Sequence, residues 1–357
     1  TGLGNYTIGY VNGRLTVTPA TPTISWSNPA PIAYFTPLSG TQLDAAACWT
    51  VGGSTVIVGG TFAYTPPAGT LLPAGTHTLS AKFTPSDSTD CTTATATVQI
   101  VVLGPGVTVI GTQLYCVGGN NTNDQVLVNP VGNSNTGSTG VKVQASLNGV
   151  NTQITYSQSF TSINLFLQGG NENIQLANSL TINAVATAGK GNDNVTVGNG
   201  NNIVTVGNGN DDIQAGSGSN SVTAGNGNDA VTVANGNDNV TVGNGSDVIV
   251  EGKGNDNVSA GNGSDLVVGG LGQHTIQLGN GNDILIDGSA TVVNCGDSLR
   301  QILSDWNACS SASVDTRLKV VYNTTHANVL KAGCGRDWFF FTYSKDVTNK
   351  KSTDRLN

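Results

Sequence analysis

The chain contains no methionine, only 3 histidines, and charged and aromatic residues at just 10% and 6%. The missing methionine predicts a processed or truncated chain, so an export signal cannot be read from its start. Few charged and aromatic side chains argue against an ordinary enzyme core. No apolar run is long enough to span a bilayer as a helix, which predicts no membrane insertion. No basic cluster occurs and the formal net charge is −8, which excludes electrostatic capture of nucleic acid. No G-x-S-x-G, H-E-x-x-H or phosphate-loop signature is present, and the chain reads as a non-enzyme. The 6 cysteines include no C-x-x-C pair.

Glycine, at 48 residues, and asparagine dominate instead. From Gly189 to Asp287, eleven consecutive nine-residue units follow G-x-G-x-D-x-U-x-U, where U is mostly aliphatic. The first is GKGNDNVTV and the last GNGNDILID, with no insertion between them. Val195 with Val197, and Val204 with Val206, begin the aliphatic rows. One such unit carries no information, but an unbroken series has a structural cause.

The units resemble the RTX family of calcium-binding β-rolls, whose motif is G-G-x-G-x-D-x-U-x. The chain departs at the first glycine, which here is usually Val or Ala; Gly269-Gly270 keeps the pair. The resemblance implies one turn and one short strand per unit, two units per coil, and stacking of residues eighteen apart. Ca²⁺ would lie between stacked turns, taking oxygens from aspartates and turn carbonyls. The fold class is then all-β: a right-handed parallel β-roll or β-helix, preceded by a sandwich and followed by a C-terminal cap.

Eighteen-residue spacing separates two edges. One carries Asp193, Asp211, Asp229, Asp247, Asp265 and Asp283. The other carries Asn202, Asn220, Asp238, Asp256 and His274. All eight aspartates are candidate Ca²⁺ ligands, but only Asp238 and Asp256 form a carboxylate pair on the second edge. The expectation is one calcium-lined edge and one held largely by amides, with His274 a degenerate turn residue. A metal-free amide ladder is the competing reading. Stacked carboxylates about 5 Å apart argue against it, because they repel unless a cation intervenes. Glu251 falls on the interior face by alternation, with Lys253 its one nearby cation in sequence.

Outside the repeat, residues 4–18 alternate around Asn12-Gly13, a hairpin signal, which defines a segment 1–19. Residues 20–104 carry short strands punctuated by Pro and Gly, among them TPTISW, HTLSAKFTP and TATATVQIVV. They resemble bacterial Ig-like modules, which implies a sandwich used as a spacer. Cys48 and Cys91 fall where those modules have other residues, which predicts a bridge between them. Residues 105–188 are β-rich but irregular and read as imperfect coils leading into the roll at 189–287. In residues 288–357, SLRQILSDW puts Leu299, Ile302, Leu303 and Trp306 on one helical face. This segment reads as a cap over the roll's open end. Gly333-Cys334-Gly335-Arg336-Asp337 echoes the repeat there, like one surviving turn. Cys295, Cys309 and Cys334 have no pairing that sequence can choose. Cys116, far from them in a linear stack, is either free or paired with another subunit. His326 lies near Cys334 and Asp337 in sequence and reads as a structural residue of the cap.

These features predict an extracellular or cell-surface, non-enzymatic structural protein: an adhesin, a stalk segment or a filament subunit. Its partners are calcium ions, and in one reading a second copy that accepts the N-terminal hairpin as added strands, head to tail. The other readings of that hairpin are truncation of a preceding module and packing on the following domain. The alternative function is the non-catalytic, calcium-binding tail of a secreted enzyme or toxin. A ligand-binding module is a third reading, but the roll offers no aromatic platform for one.

Overall fold

The computed structural model describes residues 18–51, 53–132, 140–293, 298–308, 317–324, 326–341, 347–348 and 355–356. The expected N-terminal hairpin lies almost wholly outside the described residues, as do Cys295 and Cys309. The chain divides into two compact units, Thr1–Gly104 and Pro105–Asn357.

In the first unit, short alternating strands form a three-stranded sheet and a four-stranded sheet. Thr23–Ser25, Ala46–Val51 and Ser54–Ile57 make the first; Ile32–Ala33, Ala94–Leu103, Gly75–Pro85 and Gly60–Thr65 make the second. Alternation in Gly75–Pro85 turns Leu79, Ala81 and Phe83 inward, at no more than 1% exposure. Leu79 packs with Val98, Ile100 and Leu38. The bridge expected between Cys48 and Cys91 does not form: both are free. Register explains this. Cys48 pairs with Thr23 and Ile57 in the three-stranded sheet, whereas Cys91 bridges Ala20.

The second unit is a β-solenoid of two long parallel sheets. Among the described residues, sheet I has 12 strands and contains those that follow the aspartate turns; sheet II has 11 and contains those that follow the amide turns. Residues eighteen apart stand side by side, as in Val195↔Ile213↔Val231 on sheet I and Val204↔Val222↔Val240 on sheet II. Period-two alternation sends these aliphatics inward, where they are at most 1% exposed. Each contributes about 1.5–3 kcal/mol by burial. The interior is thus a stack of matched aliphatic rows.

Two insertions break the period. Gly140–Leu147 and Val150–Tyr156 add as antiparallel strands beside Gln125–Val131 and widen the start of sheet I. Their presence explains the irregular spacing before residue 189. Later, Gly288–Val292 and Leu318–Tyr322 pair antiparallel, and the helix Leu299–Asn307 lies between them in sequence. Ser298 caps that helix by accepting from the Gln301 amide at 3.2 Å. Ile302, Leu303 and Trp306 pack on Val248, Leu266, Ile284 and Trp338, from the face of sheet I turned away from the interior.

The described part of residues 288–357 does not form the single cap expected over the end of the roll. Their helix lies on a flank, and the chain then resumes coiling. Val329–Lys331 pairs parallel with Thr275–Gln277, and Trp338–Phe340 with Ile284–Ile286. The turn between them is the repeat echo Gly333–Asp337. Of the two readings of Cys116, the structure has the free thiol. It stands opposite Leu165, fully buried in the core, and burial pushes its thiol up to about 12. A link to another subunit would require the first coil to open.

Candidate metal centres

Stacked turns approach closely because glycine allows it. Gly227 has φ +151°, and a Cβ there would lie 1.4 Å from the Gly209 carbonyl oxygen. This backbone contact holds the fifth residue of each unit directly over its neighbour one coil away.

On the aspartate edge the result is a continuous ladder. The amide of Asp193 donates to Asp211 Oδ1 at 2.8 Å, and Asp211 to Asp229 at 3.0 Å. Asp229 donates to Asp247 at 2.7 Å, Asp247 to Asp265 at 3.0 Å, and Asp265 to Asp283 at 3.0 Å. All six are at most 2% exposed. One oxygen of each carboxylate from Asp211 to Asp283 is thereby fixed, and Asp193 Oδ1 accepts from the Glu172 amide. The other, Oδ2, is buried without a hydrogen-bond partner in Asp193, Asp211, Asp229, Asp247 and Asp265. Leaving such a group unsatisfied costs about 1–3 kcal/mol, and more when it is charged. Burial, reinforced by neighbouring carboxylates and partly offset by the backbone N–H, pushes Asp211, Asp247 and Asp265 up to about 7. Burial also raises Asp193 and Asp229, the latter against the Arg300 charge. Arg300, from the flanking helix, donates to the turn carbonyl of Asn228 at 2.9 Å.

The ladder runs past the repeat at both ends. Glu172 Oε2 accepts from the Asp124 amide, and the Glu172 amide donates to Asp193 Oδ1, both at 2.8 Å. Burial raises Glu172 to about 8, and its Oε1 has no hydrogen-bond partner. Asp124 ends the row as a satisfied acid: Oδ2 accepts from Gly119 at 2.6 Å and Oδ1 from Asn148 at 2.7 Å. At the other end, Asp283 donates to Asp337 Oδ1 at 3.2 Å. Sequence spacing missed Asp124 and Glu172, although Gly118-Gly119 and Gly169-Gly170 mark both turns.

The second edge is built differently. Asn202 Nδ2 donates to the carbonyls of Gly198 at 2.9 Å and Gly200 at 2.8 Å, and to Asn220 Oδ1 at 2.9 Å. Asn220 repeats the arrangement on Gly216, Gly218 and Asp238. An amide NH₂ thus supplies positive hydrogens to two turn carbonyls and the next side-chain oxygen. An aspartate at the same register position has no N–H to give, so its turn is a set of acceptors alone. Facing oxygens of this kind fit a hard cation. The aspartate ladder has the donor set for Ca²⁺; the Asn202–Asn220 stretch supplies its own substitute.

Lower on the second edge, Asp238, Asp256 and Glu251 bring ligand atoms within 4.8 Å of one another, all buried. Glu251 does point inward, but its neighbours are these two acids. Lys253, the cation nearest in sequence, is exposed. His274 is 2% exposed, with Nδ1 3.3 Å from Asp256 Oδ2.

Among the described residues no catalytic site is found. A groove of about 500 Å³ on sheet I is lined mainly by amides and hydroxyls, among them Gln125, Gln144, Gln153 and Gln175. No helix among the described residues is long and apolar enough to cross a membrane.

The RTX calcium-binding nonapeptide repeat model matches residues 183–213, 205–240 and 241–273. The matched stretches coincide with the regular coils, and the ion that motif implies is calcium. No curated protein and no solved structure matches the chain.

Proposed function

We propose that the chain is an extracellular, non-enzymatic structural protein whose roll is held rigid by calcium, serving as a surface adhesin, stalk segment or filament subunit. The observation that carries this reading is the row of buried carboxylates Asp193, Asp211, Asp229, Asp247 and Asp265, each with one satisfied and one unsatisfied oxygen. Asp193, Asp211, Asp229, Asp247, Asp265 and Asp283 are its proposed ligands, with turn carbonyls between them. Bound calcium supplies the positive charge that this row lacks. Each rung is already tied to the next through a backbone N–H, so neutralising the row stiffens a whole edge.

Calcium of this kind is abundant outside cells, which suits many weak sites in series. The two-sheet N-terminal unit fits an Ig-like spacer. Head-to-tail addition of the N-terminal hairpin remains the proposed route to a filament, since a heterologous contact of that kind does not close.

The test is calorimetry on chelator-stripped full-length protein titrated with Ca²⁺, with ions counted by mass spectrometry. A site filled at a hundred times its Kd adds about 2.7 kcal/mol. Several sites together should raise the melting temperature of the roll substantially. An unchanged melting curve with no bound calcium would overturn the reading.

A further inference from the structure

The ninth residue of each unit faces the interior and is normally aliphatic, as in Val197, Val206, Val233 and Val242. Unit 243–251 ends instead in Glu251, 4% exposed, with both carboxylate oxygens lacking a hydrogen-bond partner. This side chain is aimed at Asp238 and Asp256, the one pair of stacked aspartates on the amide edge. Burial first, then the charges of Asp256 and Asp238, push Glu251 up to about 9, and burial lifts Asp238 to about 6. A solitary interior acid could be explained as a protonated spacer. Three converging acids, one reached from inside the roll, call for a cation.

The surroundings isolate this position. Above it, the Asn220 amide donates to Asp238 Oδ1 at 3.0 Å. Below it, the rung after Asp256 is His274, whose two ring nitrogens are buried without hydrogen-bond partners. An amide closes the row on one side and an imidazole on the other, so there is room for one ion and no chain of them. The donors that converge are all oxygens, which selects a hard cation; the imidazole faces Asp256 and stands outside the three-acid cluster.

We propose that Glu251, Asp238 and Asp256 form a discrete interior calcium site on the amide edge, separate from the aspartate ladder and tighter than any rung of it. Affinity in oxygen-lined calcium sites rises with the number of charged ligands. Here three carboxylates serve one ion, whereas ladder carboxylates are shared along the row. The inference rests on the roll being a calcium protein, and it adds a ligand outside the repeat motif. Its structural consequence is a staple at the turn where sheet I passes to sheet II: Glu251 directly follows the sheet I strand Val248–Val250, whereas Asp238 and Asp256 directly precede the sheet II strands Asn239–Thr241 and Asn257–Ser259.

The experiment uses the full chain with Ca²⁺ as the probe and compares wild type, Glu251→Gln, Glu251→Leu and Asp229→Asn. Glu251→Leu restores the aliphatic row and is the variant least exposed to misfolding; far-UV circular dichroism checks it. After dialysis against a weak chelator, wild type and Asp229→Asn should each retain one ion that both Glu251 variants lose. By isothermal titration, the tightest step should weaken at least about tenfold in Glu251→Gln. Identical ion retention and identical first-step affinity in Glu251→Leu and wild type would overturn the site while leaving the ladder standing. A wild type that binds no calcium would overturn both.

Discussion

The two edges of the roll solve one problem with different chemistry. Both stack the fifth residue of each unit against a glycine turn, and both pass a backbone N–H to the next side-chain oxygen. At Asn202 and Asn220 the side chain brings its own hydrogens to the turn carbonyls. At Asp193 through Asp265 it brings only acceptors. The backbone is nearly indifferent to the choice, whereas the charge is not. One atom, oxygen for nitrogen, converts a self-sufficient rung into one that needs a cation or a proton.

That comparison breaks most visibly with pH. The ladder acids Glu172, Asp211, Asp247 and Asp265 lie at about 7 to 8 when folded and metal-free. In an unfolded chain they titrate near 4. Folding therefore raises their pKa, and the folded state binds more protons. Their stabilising contribution is fully present below about pH 4 and is lost as pH rises through about 7 to 8. Metal-free roll should melt at progressively lower temperature between pH 5 and 8. Calcium should reverse this trend by displacing the protons, and titrations in buffers of different ionisation enthalpy should detect their release. A metal-free melting temperature flat across that window would show that burial of the ladder does not control its charge.

A narrower cut exchanges the rungs. Asp229→Asn gives the aspartate edge an amide of the kind seen at Asn202, able to donate to its own turn. In chelator the variant should melt above wild type, by an amount on the order of 1–3 kcal/mol. In calcium it should melt below wild type and hold fewer ions, because the rungs on both sides lose a shared carboxylate. Asp247→Asn should do the same. Asn202→Asp should show the mirror image: destabilised in chelator, rescued by calcium, with ions gained. Asn202→Ala should lower stability in both conditions and leave the calcium count intact. Effects of one sign in both conditions for Asp229→Asn would mean that the two edges do not differ by cation demand.

How much of this was legible depended on period. The coils from Gly189 to Asp287 are translationally repeated, so stacking, strand register and both edges follow from counting by eighteen. Asp124 and Glu172 were hidden because insertions and worn turns change their separations to 48 and 21 residues. Asp337 was visible as an echo, but its place depended on knowing that the insertion from Gly288 loops out and returns. Alternation turned Glu251 inward correctly, yet its neighbours come from coil stacking, which a sequence-adjacent lysine cannot reveal. The helix face was readable from its 3.6 period, while the surface it covers was not. Apolar Val248, Leu266 and Ile284 stand where earlier units carry Asn194, Asp212 and Ala230, and that substitution was the signal for a covered outer face. The Cys48–Cys91 pairing failed because pattern cannot reveal which strands adjoin.

The finest test sits within a single turn. Asn244 and Asp247 occupy the same turn and make the same kind of rung. Asn244 donates its backbone amide and its side-chain NH₂ to Asn226 Oδ1, at 3.0 and 2.9 Å. It accepts the equivalent pair from Asn262, at 2.9 and 3.1 Å. By hydrogen-bond count it is the richer rung. Yet Asn244 is exposed, and water can replace every bond it loses, whereas Asp247 is fully buried. Asn244→Ala should therefore cost no more than about 0.5–1 kcal/mol, alike in calcium and in chelator, with the ion count unchanged. Thermal melts of this variant beside Asp247→Asn under both conditions make the measurement. A loss from Asn244→Ala as large as that from Asp247→Asn in calcium would assign the rigidity of the edge to its surface amide ladder. A small and calcium-independent loss assigns it to buried charge, because the rung richer in hydrogen bonds but exposed and neutral would then contribute less than the buried acid.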